Sequence, residues 1–347
     1  MGLLLRLSVP GRDRNGAPLP DPNYGGQFNN QAIDGVKPEG KVDIRYQETP
    51  GRFADGEAYS LRQPEYRFTD LGYGPMDKQI MVSPRIAQQV IGLGLLEAIP
   101  EQAILSRADP DDRDGDGISG RPNRVWDAVT RSKKLGRFGW KANTPTVAHQ
   151  TAGAANGDMG ITSRHFPAEE CMPAQKDCQA AARGGKPEIN EKNLATLIFY
   201  TSTTAVPARR NADQPQVLRG KQLFHQTQCI ACHVPKHVTG AVPGFPELSK
   251  QTIRPYTDLL LHDMGPSLAD NRPDFEASGS EWRTPPLWGI GLFETVNGHT
   301  TYLHDGRARN LAEAILWHGG EGERAKQKFV AMTKAEREAM LAFLNSL

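Results

Sequence analysis

The chain has 347 residues, 38% of them hydrophobic, and its 41 basic and 40 acidic side chains leave a formal net charge of +1. That length suits two domains with a real core. The interleaved charge, without a like-sign block, argues against a nucleic-acid or membrane-surface partner. No apolar run approaches the roughly 18 residues of a membrane span, and the opening "MGLLLRLSVPG" breaks at Arg6 and Pro10, too early for an export signal.

In chain order, "KVDIRYQETPGRFADGEAYSLRQPEYRFTDLG" alternates at Val42, Ile44 and Tyr46, with punctuation at Pro50-Gly51 and Asp55-Gly56. This predicts a small antiparallel hairpin system within the first 81 residues. Ser83 as N-cap and Pro84 at the first helical position, followed by Ile86, Val90, Ile91 and Leu95, predict a helix. An acidic glycine loop follows over 109–127, and "FGWKANTPTVAHQTAGAANGDMGITS" reads as helix and turn. A polar insertion over 169–188 holds Cys171 and Cys178, and 190–202 reads as a short helix. "VPARRNADQPQ" has the composition of a linker, dividing a domain over 1–208 from one over 214–347. Beyond it, "VLRGKQLFHQTQCIACH" is an amphipathic helix with Val217, Leu218, Leu223 and Phe224 apolar. In the closing "TKAEREAMLAFLNSL", Thr333 and Glu336 predict a capping box, and Met340, Leu341, Phe343, Leu344 and Leu347 an apolar stripe. The expected fold class is mainly α with a minor β-hairpin component.

Cys229, Cys232 and His233 spell C-x-x-C-H, the attachment signal of a c-type haem. Two thiols on one turn can both add to the porphyrin vinyls, and the next residue is then held under the iron as proximal ligand. A redox or zinc C-x-x-C is the competing reading, and it leaves the adjacent histidine unused. For the opposite side of the iron, the candidates are Met264, Tyr302, His304 and His318. Of these, His318 shares a helical face with Leu311, Ala314 and Ile315. His237 reads as an ordinary loop histidine.

"GKQLF" before the motif and "MGPSL" (264–268) after it resemble the cytochrome c fold. That likeness implies that a carbonyl at Pro266 orients the His233 ring. "RTPPLWGIGLFETVNGHTTYLHDGRARNLAEAILWHGG" resembles the C-terminal haem domain of bacterial dihaem cytochrome c peroxidases. Their distal ligand falls fourteen residues after the His of a His-Asp-Gly turn, and counting from His304 reaches His318. The implied iron ligands are therefore His233 and His318, with Met264 as the next candidate, and a bis-histidine haem has a lower potential than a His/Met one. Upstream, "FGW" gives Trp140, ten residues on stands Gln150, and "DMG" contains Asp158. By the same likeness Trp140 relays electrons between haems, and Asp158 with Gln150 forms the distal acid/base. Asp replaces the family's Glu there, and it comes eight residues after the Gln rather than ten.

Over nearly its whole length the chain resembles the di-haem oxidoreductases, peroxidase-like proteins also labelled thiol oxidoreductases. The matching blocks include "LLLRLS", "DGDGISGRPNRVWD", "YTDLLLHDMGPSLAD" and "EWRTPPLWGIG". In that family a first haem motif precedes "LLLRLS", whereas this chain holds a single C-x-x-C-H. The expectation is an N-terminally incomplete polypeptide: a cytochrome c-like helical domain behind a degenerate or truncated peroxidase-like one. One haem c is covalent here, with a second only in a longer form.

Asp112, Asp114 and Asp116, then Gly117, the Ile118 carbonyl and Asn123, follow the D-x-D-x-D-G calcium pattern, but without its closing Glu. The family likeness adds Asn123 and Thr301 as counterparts of its interdomain calcium site. Cys171 and Cys178 are expected to form a disulfide, because covalent haem is attached outside the bacterial cytoplasm, where thiols oxidise. The functional expectation is a periplasmic c-type haem oxidoreductase passing electrons from the Cys229/Cys232/His233 haem toward Asp158. The alternative is a single-haem electron-transfer protein without peroxidase activity. The expected partner is an electron donor such as a small cytochrome or cupredoxin, with a homodimer also open.

Overall fold

A computed structural model describes residues 2–347. It is 28% helical and 20% strand, spread over several small antiparallel sheets. The fold is thus mixed rather than mainly α, and no truncated domain stands apart. One apolar cluster places Leu61 and Trp140 against Val217, Phe224, Tyr256 and Phe343. Another joins Ile99, Ile104 and Phe138 to Leu259, Leu260 and Trp288. Both clusters draw on residues before and after the 208–214 linker, so burial ties the two segments together. No helix among the described residues is long and apolar enough to cross a membrane.

The predicted hairpin forms from strands Lys41–Arg52 and Ala58–Thr69, paired from Lys41↔Thr69 to Arg52↔Ala58. Asp55-Gly56 makes its turn, while Pro50-Gly51 lies within the strand. A Cβ on Gly51 would sit 2.4 Å from the Tyr59 ring, so the glycine makes room for an aromatic on the paired strand.

The helix expected from Ser83 does not form. Met81–Ile86 is instead an edge strand paired with Leu3–Ser8, and helix begins only at Leu93. On an edge the missing N–H of Pro84 removes nothing from a neighbouring ladder, and the hydrogen bonds to the first strand outweigh a good N-cap signal. Pro84 also presents its carbonyl inward, where the His304 Nδ1–H donates to it at 3.0 Å.

Helices Val147–Met159 and Glu191–Thr203 form where expected. Each is capped by a side chain, Thr146 on His149 N and Asn190 on Asn193 N. The Thr333/Glu336 capping box opens the last helix, Lys334–Ser346. That helix crosses Pro215–Gln226 at Gly220, where a Cβ would lie 1.9 Å from the Ala339 carbonyl oxygen. Alanine would gain about 1 kcal/mol of helix propensity there. The backbone it meets cannot step aside, and overpacking of this kind costs about 1–3 kcal/mol or more. Gly220→Ala is therefore expected to lower the unfolding free energy by about 2 kcal/mol in a denaturant titration.

Candidate haem site

Immediately after the Pro215–Gln226 helix, Gln228 takes a left-handed conformation (φ 68°), and Cys229–Ala231 winds into a 3-10 turn. The His233 N–H donates to the Cys229 carbonyl at 2.9 Å, which keeps the two thiols and the imidazole on one compact turn. Cys229 and Cys232 are free, and burial pushes both thiols upward in pKa. Neutral buried thiols are poor redox nucleophiles. All three residues line a cavity of about 790 Å³, within the size range of cofactor sites.

The His233 Nδ1–H donates to a backbone carbonyl at 3.0 Å, and that carbonyl belongs to Tyr256. This corrects the assignment of Pro266. The Gly265–Ala269 turn consumes the Pro266 carbonyl locally, as acceptor for Ala269 N at 3.3 Å. Tyr256 holds a left-handed backbone (φ 55°) that a tyrosine adopts only under constraint. Its buried ring supplies that constraint by packing edge-on to Phe224 and Phe343.

His318 lies two residues past the Leu311–Leu316 helix and lines the same cavity. Its Nδ1–H donates to the Ala314 carbonyl at 2.7 Å. Both histidines therefore carry their proton on Nδ1, which leaves the Nε2 lone pair for a metal. Burial, with His318 nearby, pushes His233 down to about 4, and burial lowers His318 as well. Both rings are neutral near pH 7, as ligation requires. Met264 stands on the same wall: a Cβ on Gly322 would touch both the Met264 Cε and the His318 ring. Tyr302, stacked on Phe293, and His304, stacked on Trp282 at 3.9 Å, line the same cavity, and His304 with its Nδ1–H on the Pro84 carbonyl also keeps its Nε2 unpartnered. His237 is buried, with its ring donating to the Thr257 carbonyl at 2.7 Å, and so is a structural residue rather than a loop one.

The cavity continues to Trp140, Gln150 and Asp158. Trp140 is held by a 2.9 Å bond from Nε1–H to the Ile86 carbonyl. On the Val147–Met159 helix, Gln150, Ala154 and Asp158 follow at i, i+4 and i+8, and Gly153 and Gly157 also line the cavity. Side chains this small leave room for a planar group to lie close to the helix. Asp158 pairs loosely with Arg6 at 3.7 Å. Beside them, buried Asp274 accepts from Arg85 at 2.9 Å and Arg272 at 3.1 Å. Neither this triad nor Tyr256 carried a readable sequence signal.

In the acidic loop, Asp112, Asp114 and Asp116 are exposed and bring one carboxylate oxygen each within 4.8 Å of one another. Ile118 follows them with its N–H on the Asp116 carboxylate. Asn123 is not part of this group. It is buried, and its amide donates to the Lys141 and Asp274 carbonyls and accepts from Glu276 N. Asn123 stands immediately before the Arg124–Asp127 strand, and the interior claims the residue that a calcium loop would use for closure. The Thr301 hydroxyl meets His299 Nδ1 at 3.1 Å. Cys171 and Cys178 are disulfide-bonded with Cα atoms 5.7 Å apart.

Two free thiols and a carbonyl-tethered imidazole on one turn, facing a second tethered imidazole across a cavity, fit the donor set of a covalently held haem. The class is that of a haem protein. Residues 8–347 match the family model described as "Di-haem oxidoreductase, putative peroxidase", and the chain belongs to that family. Comparison with curated proteins and with solved structures finds no match.

Proposed function

We propose that the chain is a periplasmic c-type haem oxidoreductase in which a haem on Cys229 and Cys232, ligated by His233 and His318, exchanges electrons with a peroxidatic centre near Asp158. The observation that carries this reading is the single cavity lined by the haem turn, Trp140, Gln150 and Asp158. When bound, the haem supplies one-electron chemistry at iron. The Tyr256 and Ala314 carbonyls fix the imidazole planes and make both rings better donors. Trp140, anchored on Ile86, lies in the cavity wall and offers an indole on the way between the two ends. Asp158 would accept and return a proton, and Gln150, about two turns earlier on the same helix face, would offer an amide to the same cavity. The haem turn comes after the 208–214 linker and the Asp158 group before it, so the two functions divide at that segment.

The Cys171–Cys178 disulfide supports an oxidising compartment, and a small cytochrome or cupredoxin is the matching donor. A calcium ion on Asp112, Asp114, Asp116 and the Ile118 carbonyl belongs to the same reading, with weak affinity because Asn123 is spent elsewhere.

Asp158→Asn is expected to cut peroxide turnover by about 100-fold while leaving the haem spectrum unchanged. Turnover equal to that of the parent would remove Asp158 from the chemistry. A second reading, a single-haem electron carrier, is favoured by the two imidazoles with free Nε2 atoms, which together leave no open position on one iron. A purely low-spin spectrum with no peroxide consumption by the haem-loaded chain would establish that reading instead.

A further inference from the structure

His262 was not among the sequence-derived candidates, yet it sits at the edge of the haem turn. It belongs to the short strand Leu261–Asp263, which pairs with Glu281–Arg283, and it is buried. Its Nε2 lies 2.8 Å from Asp258 Oδ2 and its Nδ1 lies 2.6 Å from Glu321 Oε2. Carboxylate oxygens at both nitrogens can only accept, so each nitrogen carries a proton and the ring is an imidazolium. The same Nδ1 is 3.5 Å from Cys232 Sγ, the atom that becomes a haem thioether.

The cluster is held from several sides. Asp258 Oδ1 accepts Leu260 N at 2.9 Å, and Glu321 Oε1 accepts Asp263 N at 3.1 Å. Glu321 also takes the Ser119 N–H and hydroxyl at 3.1 and 2.6 Å, from the far end of the acidic loop. Burial alone lowers the His262 ring, and the Asp258 carboxylate works against burial to raise it above its ordinary value. The nearby Arg121 pairs with Glu281 at 2.6 Å and adds its positive charge on the Glu321 side of the cluster. A doubly bridged imidazolium is not needed for packing alone, since a neutral ring would satisfy either carboxylate by itself.

We infer that His262, clamped between Asp258 and Glu321 against Cys232, is a positioning residue whose fixed positive charge holds up the reduction potential of the haem on this turn. Asp258 and Glu321 leave the cluster at a net charge of −1, so, compared with a neutral ring, the His262 cation offsets one of two carboxylates beside the sulfur; reduction adds one electron to the iron–porphyrin, and that offset favours the reduced state. The Nδ1–H is spent on Glu321 Oε2 at 2.6 Å, so the ring acts on the sulfur 3.5 Å away through its charge. The inference rests on haem attachment at Cys229 and Cys232.

The test is spectroelectrochemical titration of the full haem-loaded chain and its variants. His262→Gln removes the charge and is expected to lower the equilibrium constant for reduction at least tenfold, a fall of about 59 mV for one electron. Glu321→Gln keeps an acceptor for Nδ1–H but deletes one negative charge, and its potential is expected to rise. His262→Lys restores a cation between the carboxylates and is expected to recover most of the loss. Loosened packing would admit water in both single variants and move both potentials the same way. Shifts of equal sign, or an unchanged potential in His262→Gln, would therefore overturn the inference. If His262→Gln fails to mature, a Glu321→Gln potential at or below the parent's overturns it alone. A parent chain that attaches no haem would instead defeat the underlying haem assignment.

Discussion

His318→Ala is expected to convert a purely low-spin ferric spectrum into one with a high-spin component. The cause is coordination. The ring is tethered by its Nδ1–H on the Ala314 carbonyl, burial keeps it neutral, and its remaining nitrogen is the one directed to the cavity. Alanine leaves water or an empty position on this iron, so peroxide reaches an iron that His318 closes to it in the parent. The variant should retain its covalent haem, because the thiols and His233 are untouched, and its haem spectrum should shift on adding peroxide where the parent's does not. His318→Met should stay low-spin with a higher potential, as His/Met haems have. Met264→Leu is the matching control on the same wall. If His318→Ala stays low-spin and Met264→Leu does not, the ligand is Met264.

The second large effect lies in the cavity wall. Asp274 is buried and accepts from both Arg85 and Arg272, so one carboxylate compensates two guanidinium groups. Burial would raise its pKa, but the two arginines outweigh burial and hold it below the carboxylate range. Asp274→Ala removes the compensation while both charges stay buried, and breaking such a cluster costs about 3–5 kcal/mol. Asp274→Asn keeps the shape and loses only the charge. If charge is the cause, the amide variant should lose most of the same stability in urea titration; if it matches the parent, packing governs the site. The sign with pH follows from the depressed value. The ionised form is preferred in the folded state, so the contribution is complete above the ordinary value of 3.8 and is lost as pH falls below it. The stability difference between parent and Asp274→Asn should therefore shrink in acid.

Much of the candidate site was legible because its chemistry is local. Cys229, Cys232 and His233 act within one turn, and the His233 N–H closes on the Cys229 carbonyl four residues back. His318 was reachable through its helical spacing to Ala314, and the Thr333/Glu336 box and Asp55-Gly56 turn are likewise complete within a few residues. The same local reading failed at Ser83-Pro84. Capping chemistry there is sound, but Leu3–Ser8 is available as a pairing partner nearly eighty residues away in sequence, and the strand wins. Overreading of helix at that segment and of Asn123 in the acidic loop share this origin: a short pattern taken as sufficient where a distant partner competed for the residue.

What the amino-acid sequence by itself determined is therefore the compact C-x-x-C-H turn, the disulfide pair and the family. Each is set by residue types at fixed short spacing, or by motifs that persist whatever surrounds them. Only the tertiary structure decided which carbonyl orients His233, where Asn123 points, and that His262 lies between two carboxylates. Tyr256 is 23 residues from its histidine, and Glu321 is 59 from His262. Contacts at such separations depend on how strands and helices are brought together, and no periodicity in the chain encodes them. The buried cluster at His262 follows from that assembly, because a carboxylate 59 residues away joins one only four residues away on the same ring.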